Sequence, residues 1–352
     1  MRVRLEDVCE KGSSKLKQSD VIDQNGLYPV YGASGYLGNV NTYQQSNYYV
    51  AVVKDGAGIG RTMLLPPKSS IIGTMQYLIP KDNVLPEYLY YVVKAKHLEK
   101  YFSGATIPHI YFKDYKNEQF DLVSFEEQRE IINRIKKIEI IIDDLSKTLA
   151  LLDELVRARF VEMFGNPRIN PMNFNKSELK DTCDIITGNT PSRKNEEYYG
   201  NYIEWIKTDN IVVNKLNPTY AKESLSKEGM DVGRTVDKNC ILMACIAGSI
   251  SSIGRVCVTD RKVAFNQQIN AIVPKKYNCM FLYVLMQVSK DYLVDGINMA
   301  LKGILSKSRL EEKQFIVPPL ELQNQFASFV QEIDKSRLLN NHLLFLLKSI
   351  TF

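Results

Sequence analysis

Arginine, lysine, amide and hydroxyl side chains, with aromatic residues between them, occur together in two groups, one in each half of this chain. Arg and Lys bind phosphates, amides and hydroxyls bond to base edges, and aromatic rings stack beside them. The first group comprises Tyr31, Ser34, Tyr36, Lys54, Arg61, Gln76, Thr106, His109 and Tyr111. The second comprises Thr190, Ser192, Arg193, Lys207, Asp209, Asn210, Ser249, Ser251, Arg255, Gln267, Lys302 and Ser306. Together they predict two surfaces that read double-stranded DNA, although each residue alone is more typical of an ordinary protein surface.

The sequence offers little for catalysis. It has three histidines, His97, His109 and His342. It contains neither a GxSxG nucleophile motif nor a GxxxxGK[ST] phosphate loop. The glycine-rich run at residues 56–60 recurs in the second half with fewer glycines, which favours a turn between strands over a cofactor loop. The Asn-Pro-Arg run at residues 166–168 lacks the aromatic residue with which a base-methylating loop stacks a flipped base. We therefore predict a non-catalytic protein without a metal site or cofactor of its own.

An internal repeat relates the two halves. The Ile-Gly-Arg run at residues 59–61 returns at residues 253–255, an offset of 194. The run at residues 124–131 returns at residues 319–326, an offset of 195. Three further matches keep nearly the same offset: Pro80 with Pro274, residues 88–91 with 281–284, and Gln119-Phe120 with Gln314-Phe315. Matches that stay in order at a nearly constant offset indicate a duplication.

The two copies differ most near their beginnings. Residues 5–9 resemble residues 179–183 at an offset of only 174. This shorter offset places an insertion of about twenty residues between Asp184 and Cys240. Residues that choose a base should differ between copies that read different sequences. Repeated residues such as Arg61 and Arg255 are therefore better candidates for the fold or for phosphate contact.

Each copy is predicted to contain a globular part followed by a long helix, in an α+β fold with a pseudo-twofold internal repeat. The four parts are residues 1–123, 124–163, 164–318 and 319–352. Short strand-like runs at residues 48–53, 70–79 and 266–273 are punctuated by Gly, Pro and Asn. Helices are expected at residues 86–102 and 280–293. The globular parts carry net charges of +2 and +5, and the helices −2 and 0. This distribution fits globular parts that meet an anion, although random scatter would also give it.

The composition is that of a soluble cytoplasmic protein. No apolar run is long enough to span a membrane, and no signal peptide is expected at the start. The six cysteines are scattered without a CxxC pair, so we expect them to be reduced and mostly buried.

The first long helix has a continuous apolar seam. Residues 125–163 contain neither Pro nor Gly. Apolar residues alternate four and three apart, which is the heptad pattern of a coiled coil. The seam comprises Ile131, Ile135, Ile138, Ile142, Leu145, Leu149, Leu152 and Val156.

The second long helix matches this seam less well. A shift of 195 residues gives the apolar positions Phe326, Val330, Ile333, Leu344 and Leu347, interrupted by Arg337 and Asn340 and followed by Thr351. Leu339, Leu343, Leu346 and Ile350 offer a neighbouring seam, so the register is left open. We expect the two helices to form an antiparallel coiled coil. In the alternative, each helix packs only on its own globular part.

The chain resembles the specificity subunits of type I restriction-modification systems over nearly its whole length, and three segments carry the resemblance most clearly. Residues 188–211, GNTPSRKNEEYYGNYIEWIKTDNI, look like the start of a target recognition domain in that family. Residues 105–131 and 301–326 look like the ends of two such domains running into the family's long helices. The sequence departs from the family pattern at three places. Val123-Ser124-Phe125 replaces a Pro-Pro pair, Leu322 and Asn324 replace acidic residues, and Asp209-Asn210 replaces Gly-Asp.

The resemblance implies a division of labour. Each recognition domain would read one half of a bipartite DNA site, and the paired helices would set the unread spacer. The helices would also dock two methyltransferase subunits, which bind S-adenosylmethionine and flip the target adenine. Restriction subunits that use ATP and Mg²⁺ could join through them. Two other functions stay open: a stand-alone DNA adenine methyltransferase recognition protein, and a coiled-coil adaptor that binds only proteins.

Overall fold

The computed structural model describes residues 1–22, 26–104, 108–299 and 303–351. The chain forms two compact units. Unit 1 comprises Met1–Asp144 with Leu343–Phe352, and unit 2 comprises Leu145–His342. Each unit therefore contains part of both long helices.

The described residues of unit 1 form nine strands and four short helices before the first long helix. The strands are β1 (Arg2–Arg4), β2 (Cys9–Ser13), β3 (Tyr28–Gly32), β4 (Gly35–Val40), β5 (Tyr49–Val53), β6 (Thr62–Leu65), β7 (Ser70–Ile71), β8 (Met75–Pro80) and β9 (Gln119–Asp121). The helices are α1 (Leu5–Val8), α2 (Ser19–Ile22), α3 (Pro86–Lys94) and α4 (Phe112–Tyr115), with a 3₁₀ turn at Leu98–Tyr101. The first long helix, α5, spans Phe125–Phe164 and passes from unit 1 into unit 2.

The described part of unit 2 contains twelve strands and five short helices. The strands are β10 (Lys176–Glu178), β11 (Cys183–Thr187), β12 (Tyr199–Ile206), β13 (Ser224–Leu225), β14 (Thr235–Val236), β15 (Ile241–Ala244), β16 (Ile246–Ala247), β17 (Val256–Val258), β18 (Val263–Phe265), β19 (Ile269–Pro274), β20 (Gly303–Ile304) and β21 (Gln314–Ile316). The helices are α6 (Leu179–Thr182), α7 (Lys227–Val232), α8 (Cys279–Val288), α9 (Lys290–Val294) and α10 (Lys307–Glu311), with 3₁₀ turns at Glu196–Tyr198 and Thr208–Asn210. The second long helix, α11, spans Leu320–Thr351.

The same strand arrangement occurs in both units. An antiparallel sheet has the order β2-β8-β5-β6 in unit 1 and β11-β19-β15-β17 in unit 2. A second sheet is built around a parallel pair, β3 with β7 in unit 1 and β12 with β18 in unit 2. The first and last strands of each unit pair antiparallel, β1 with β9 and β10 with β21. In unit 2, α7 and β14 lie between Asp184 and Cys240, the range in which the insertion of about twenty residues is predicted.

Several element boundaries differ from those predicted. The helix expected at residues 86–102 ends at Lys94, and His97 adopts a left-handed φ of 50°, which a continuing helix cannot accommodate. The run at residues 70–79 contains two strands, since a turn separates β7 from β8. Residues 280–293 contain parts of two helices, α8 and α9, with Ser289 between them.

Unit 2 has an aromatic centre to which both long helices contribute. Phe160 and Phe164 of α5 are fully buried, as are Phe281 of α8 and Phe326 of α11. Phe160 lies 5.6 Å from Phe281 and 5.5 Å from Phe326, measured between ring centroids. Aromatic pairs at these distances stabilise a core beyond the area they bury. This cluster joins the first turns of α11 to the last turns of α5.

The predicted seam of α5 is its protected stripe. All eight seam residues from Ile131 to Val156 are buried or half-buried. In contrast, Ile140, Ile141, Leu151 and Leu155 on other faces are exposed. Buried and half-buried residues at heptad spacing indicate that one face of the helix packs against the rest of the protein.

The protected stripe of α11 keeps the register of the repeat. Phe326 and Val330 are buried and Ile333, Leu344 and Leu347 are half-buried, as are the polar residues Arg337 and Asn340 between them. Leu339, Leu343 and Leu346 are exposed, so the neighbouring seam suggested by the sequence is wrong at these positions. The polar residues therefore belong to the stripe.

A different cap begins each long helix. Ser124 and Glu127 form a capping box: the Glu127 carboxylate accepts from the Ser124 backbone at 3.0 Å, and the Ser124 hydroxyl accepts from the Glu127 backbone at 3.3 Å. The bonds that its carboxylate accepts from the Ser124 N–H and from the Ser124 hydroxyl hold the pKa of Glu127 below its usual value. In α11, Pro318 and Pro319 precede the first turn, where a missing N–H costs nothing. Val123-Ser124-Phe125 thus begins α5 with a capping box, whereas Pro318-Pro319 begins α11 with prolines.

None of the described helices is both long enough and apolar enough to cross a membrane. All six cysteines are free thiols, and five of them are buried. Burial raises the pKa of Cys9, Cys183 and Cys245 to about 12, so these thiols stay protonated.

Candidate nucleic-acid interface

The repeated Ile-Gly-Arg run forms the same turn in both units. In unit 1, the Val53 N–H donates to the Arg61 carbonyl and the Gly60 N–H donates to the Val53 carbonyl, both at 2.9 Å. In unit 2, the Ala244 N–H donates to the Arg255 carbonyl at 2.9 Å and the Gly254 N–H to the Ala244 carbonyl at 2.8 Å. The turn follows strand β5 in one unit and β15 in the other. This supports the interpretation of the run as a turn.

Both turns need glycine at their centre. Gly60 has a φ of 82° and Gly254 a φ of 75°, a left-handed conformation that costs other residues energy. In unit 1 the backbone also passes close by, because a Cβ on Gly60 would lie 2.6 Å from the Glu99 nitrogen. The glycines therefore fix where the following arginines lie.

In unit 1, the turn lies against the β3–β4 hairpin. Arg61 Nη1 donates to the Ala33 carbonyl at 2.7 Å. Next to this bond, the rings of Tyr31 and Tyr36 meet edge to face with centroids 6.2 Å apart, and Ser34 is exposed. Four predicted contact residues, Tyr31, Ser34, Tyr36 and Arg61, are thus brought together.

A second part of the unit 1 group surrounds Asp55. The Asp55 carboxylate lies 2.7 Å from His109 Nδ1 and 3.8 Å from Lys54 Nζ. The His109 ring stacks beside Tyr111 with centroids 6.2 Å apart. The Ile110 N–H donates to the Lys54 carbonyl at 2.9 Å, which holds the two segments together. Asp55, which is not among the predicted contact residues, therefore lies between two that are, Lys54 and His109.

In unit 2, the segment before β12 is tied down at several points. Thr190 bonds to the Gln267 side chain. The Tyr199 hydroxyl donates to the Pro191 carbonyl at 2.6 Å, and Trp205 Nε1 donates to the Asn189 carbonyl at 3.2 Å. These bonds place Arg193 over the rings of Tyr199 and Trp205. Ser192, the preceding residue, is exposed.

Glu223 holds the two cations above those rings. It accepts from Arg193 Nη2 at 2.6 Å through one carboxylate oxygen and from Lys207 Nζ through the other. The hydrogen bonds from Lys207 and Arg193 hold the pKa of Glu223 below its usual value. Glu223 is therefore an anion that binds two of the predicted DNA contacts.

A further pair of cations in unit 2, Arg255 and Lys290, lies beside the serine-rich loop at residues 249–252. The Ser249 hydroxyl lies 3.1 Å from that of Ser251. The Ser251 carbonyl accepts from Lys290 Nζ at 2.6 Å and, more weakly, from Arg255 Nε at 3.4 Å. Burial and the nearby Arg255 charge lower the pKa of Lys290. Two cations at one carbonyl favour an anion nearby.

Several predicted contact residues have other roles or other places. Asn210 is 7% exposed, and its amide bonds to the Lys207 backbone, Thr219 and the Tyr220 carbonyl. This is the bonding of a buried structural amide.

Gln76 also has a structural role, since it donates to the Gly12 carbonyl across the β2–β8 pair. Ser306 caps α10 by accepting from the Arg309 N–H at 3.3 Å. Asp209 is exposed, whereas Thr106 and Lys302 lie outside the described residues.

Sequence reasoning missed four residues of these clusters: Asp55, Trp205, Glu223 and Lys290. Asp55 and Glu223 carry no signal in the sequence, because an isolated acidic residue does not indicate which cations folding brings beside it. Trp205 carried a signal, since it is the single tryptophan of the chain. Among the described residues, His, Cys, Asp and Glu form no group that could hold a metal ion.

The chain matches the profile of the family described as "Type I restriction modification DNA specificity domain" over residues 1–154 and 171–348. It is 30% identical over 177 residues to the HindI specificity subunit of a type I restriction enzyme from Haemophilus influenzae, covering 49% of this chain and 38% of that protein. It is 24% identical over 310 residues to the MjaVIII specificity subunit from Methanocaldococcus jannaschii, covering 81% of this chain and 72% of that protein.

Solved structures share the fold. The S subunit of a type I restriction-modification system from M. genitalium superposes with a TM-score of 0.59 at 14% identity, covering all of this chain and 93% of that chain. A chain from a structure concerned with complex assembly and conformational transition of the type I R-M system superposes with a TM-score of 0.63 at 16% identity, covering all of this chain and 95% of that chain.

Proposed function

Because the chain belongs to the family of type I restriction-modification DNA specificity domains, we propose that each of its units reads one half of a bipartite DNA site. The observation that carries this proposal is the repeated turn, in which Arg61 and Arg255 follow identical backbone bonds on equivalent sheets. Next to this repeated turn, each unit has its own polar groups. The arginines that the two units share would contact phosphates, and the polar groups that differ would select the bases.

The two halves of the site should differ in sequence. Unit 2 adds α7 and β14, and it alone has the tryptophan platform under Arg193 and Lys207. Unit 1 instead surrounds Asp55 with Lys54, His109 and the Tyr111 ring. Surfaces with different donors and acceptors favour different base pairs.

The long helices would set the spacer between the half-sites. Within unit 2 they contact each other in opposite directions, because Phe160 meets Phe326 while Asp153, earlier in α5, meets Arg337, later in α11. We propose that this antiparallel pairing continues along the coiled coil. A helix of 40 residues is about 60 Å long, or roughly 18 base pairs at about 3.4 Å each. That length is an upper bound, since DNA bends.

The same helices would dock two methyltransferase subunits. Both long helices expose large apolar side chains, which a protein without a partner normally buries. Leu338 and Leu339 of α11 are 71% and 63% exposed, and Ile140 and Leu151 of α5 are each 61% exposed. The docked subunits would bind S-adenosylmethionine and modify the DNA, and restriction subunits using ATP and Mg²⁺ could join them. This chain would supply recognition and no catalysis.

Methylation mapping of the host genome, followed by binding assays, tests this function. Mapping gives the two half-sites and the spacer. A duplex carrying that site should bind the full chain with its methyltransferase subunits more tightly than a scrambled duplex, with a steep salt dependence. S-adenosylmethionine binding by the chain alone would instead favour a methyltransferase. If no DNA binding occurred even with the partner subunits, the remaining alternative would be a coiled-coil adaptor that binds only proteins.

A further inference from the structure

Arg193, Lys207 and Glu223 form a compact charged cluster on an aromatic platform in unit 2. The Arg193 guanidinium carbon lies 4.4 Å from the Tyr199 ring centre and 5.1 Å from that of Trp205. Lys207 Nζ lies 4.9 Å from the Trp205 ring centre. The side chains of Arg193, Lys207 and Glu223 are 55%, 30% and 39% exposed. The cluster is therefore accessible to a ligand.

The platform is rigid, which fixes both cations in advance. Trp205 is only 3% exposed and bonds through Nε1 to the Asn189 carbonyl at 3.2 Å. The Tyr199 hydroxyl donates to the Pro191 carbonyl at 2.6 Å. An arginine held beside two rings that are themselves fixed loses little conformational freedom when it binds an anion. The cluster is therefore prepared for binding.

The Glu223 carboxylate occupies the position of an anionic ligand. One of its oxygens accepts from Arg193 and the other from Lys207, as two oxygens of one phosphate would. Two cations and one carboxylate leave a net charge of +1, so a phosphate at the same place would be favoured. A neutral base edge would not balance two adjacent cations. The charge pattern thus points to the DNA backbone.

We propose that Arg193 and Lys207 form a phosphate-binding site that Glu223 caps in the free protein and that a DNA phosphate takes over on binding. The proposal rests on the proposed DNA-binding function and adds the ligand group and its intramolecular competitor. The cap lowers the affinity of unit 2 for any duplex. DNA then binds firmly only when the base contacts help to displace Glu223.

Glu223→Gln separates this role from a structural ion pair, because only a competing cap predicts that the affinity for DNA rises. Gln keeps the size of the side chain and removes the competing charge. We expect the affinity of the full chain with its methyltransferase subunits to rise about three- to tenfold for both the mapped duplex and a scrambled one. If the carboxylate only braces the surface, the affinity should stay unchanged or fall. A thermal melt checks that the variant is folded.

Asp184→Asn is the matched control. Asp184 pairs with Lys275 at 2.8 Å on the surface of the same unit, and the substitution makes the same change of charge. It should alter the affinity less than twofold. An increase as large as that of Glu223→Gln would show that net charge alone is responsible and would overturn the cap.

Arg193→Ala tests whether the ligand is a phosphate. We expect weaker binding to every sequence and a salt dependence shallower by about one counterion. A relaxed preference at a single base pair would instead make Arg193 a base contact and would contradict the phosphate site. If the unchanged protein bound neither duplex, the proposed function itself would fail. If it bound DNA while Glu223→Gln gave no gain, only the cap would fail.

Discussion

Gln128 and Gln323 make the same pair of hydrogen bonds at equivalent places in the two units. The Gln128 side-chain oxygen accepts from the Leu85 N–H at 2.8 Å, and its nitrogen donates to the Val123 carbonyl at 3.0 Å. The Gln323 oxygen accepts from the Asn278 N–H at 2.9 Å, and its nitrogen donates to the Pro318 carbonyl at 2.8 Å. Each amide thus ties the first turn of a long helix to the residue before α3 or α8.

Removing either amide should destabilise its unit. Both glutamines are 1% exposed, so Gln323→Leu leaves a backbone N–H and a carbonyl without their partner inside the protein. We expect the free energy of unfolding to fall by about 2 kcal/mol, measured by chemical denaturation, and the same for Gln128→Leu. Gln331→Leu, at an exposed position of the same helix, should change it by less than about 0.5 kcal/mol. Equal effects at positions 323 and 331 would refute the assignment.

Arg337 is predicted to be the most sensitive charged residue of α11. It donates to Asp153 at 2.6 Å and also bonds to Asp334, and its side chain is only 17% exposed. Arg337→Ala leaves two carboxylates near each other without their cation, which should cost about 3 kcal/mol in unfolding free energy. Lys335→Ala removes an exposed pair with Glu332 and should cost less than about 1 kcal/mol. Comparable losses would mean that burial of the cluster is unimportant.

Asp334 should make the free energy of unfolding depend on pH, with a sign that its pKa shift defines. Burial raises the pKa of this carboxyl, Asp153 adds to the increase, and Arg337 opposes it. An acid whose folded pKa is raised contributes its full stability below the unfolded pKa, about 3.9, and loses it as pH rises through the folded pKa. Asp334→Asn should therefore raise the unfolding free energy at pH 8 and have little effect near pH 3.

Denaturation at several pH values measures this difference. Glu332→Gln, at an exposed position of the same helix, provides the control and should show no such increase at pH 8. If Asp334→Asn were destabilising at pH 8, the ion pair with Arg337 would outweigh the cost of burial.

Gly60 and Gly254 should respond unequally to alanine. Both have a left-handed φ, which costs alanine about 1–2 kcal/mol. Only Gly60 has backbone at 2.6 Å from the new Cβ, whereas the nearest atom to a Cβ on Gly254 is 3.8 Å away. Gly60→Ala should therefore lower the melting temperature more than Gly254→Ala. Equal shifts in calorimetry would contradict the close approach of Glu99.

Lengthening both long helices tests the spacer proposal. Seven residues add about 10 Å of helix and turn it by only about 20°. Inserting one heptad into α5 and one into α11 should lengthen the spacer by about three base pairs, or abolish modification, with unchanged half-sites. Methylation mapping of cells carrying the variant measures both. A changed half-site would mean that the helices take part in base recognition.

Much of the local structure could be predicted from the sequence. The α5 seam, the helix starts near residues 125 and 320 and the glycine turns depend on period, caps and backbone conformation, which are local properties. The register of α11 could not be predicted, because Leu339, Leu343 and Leu346 make an equally apolar pattern. Contacts with Asp153 and Phe160 decide that Arg337 and Phe326 face inward instead.

The sequence by itself determined the duplication, the two long helices, the absence of familiar catalytic motifs and the family to which the chain belongs. It also placed Arg61 and Arg255 at equivalent positions. Only the tertiary structure decided which polar groups lie together, because Arg193, Lys207 and Glu223 meet where β12 pairs with β13. Side-chain type can be read along a sequence, but a charge acquires its role from the charges and rings that folding brings beside it.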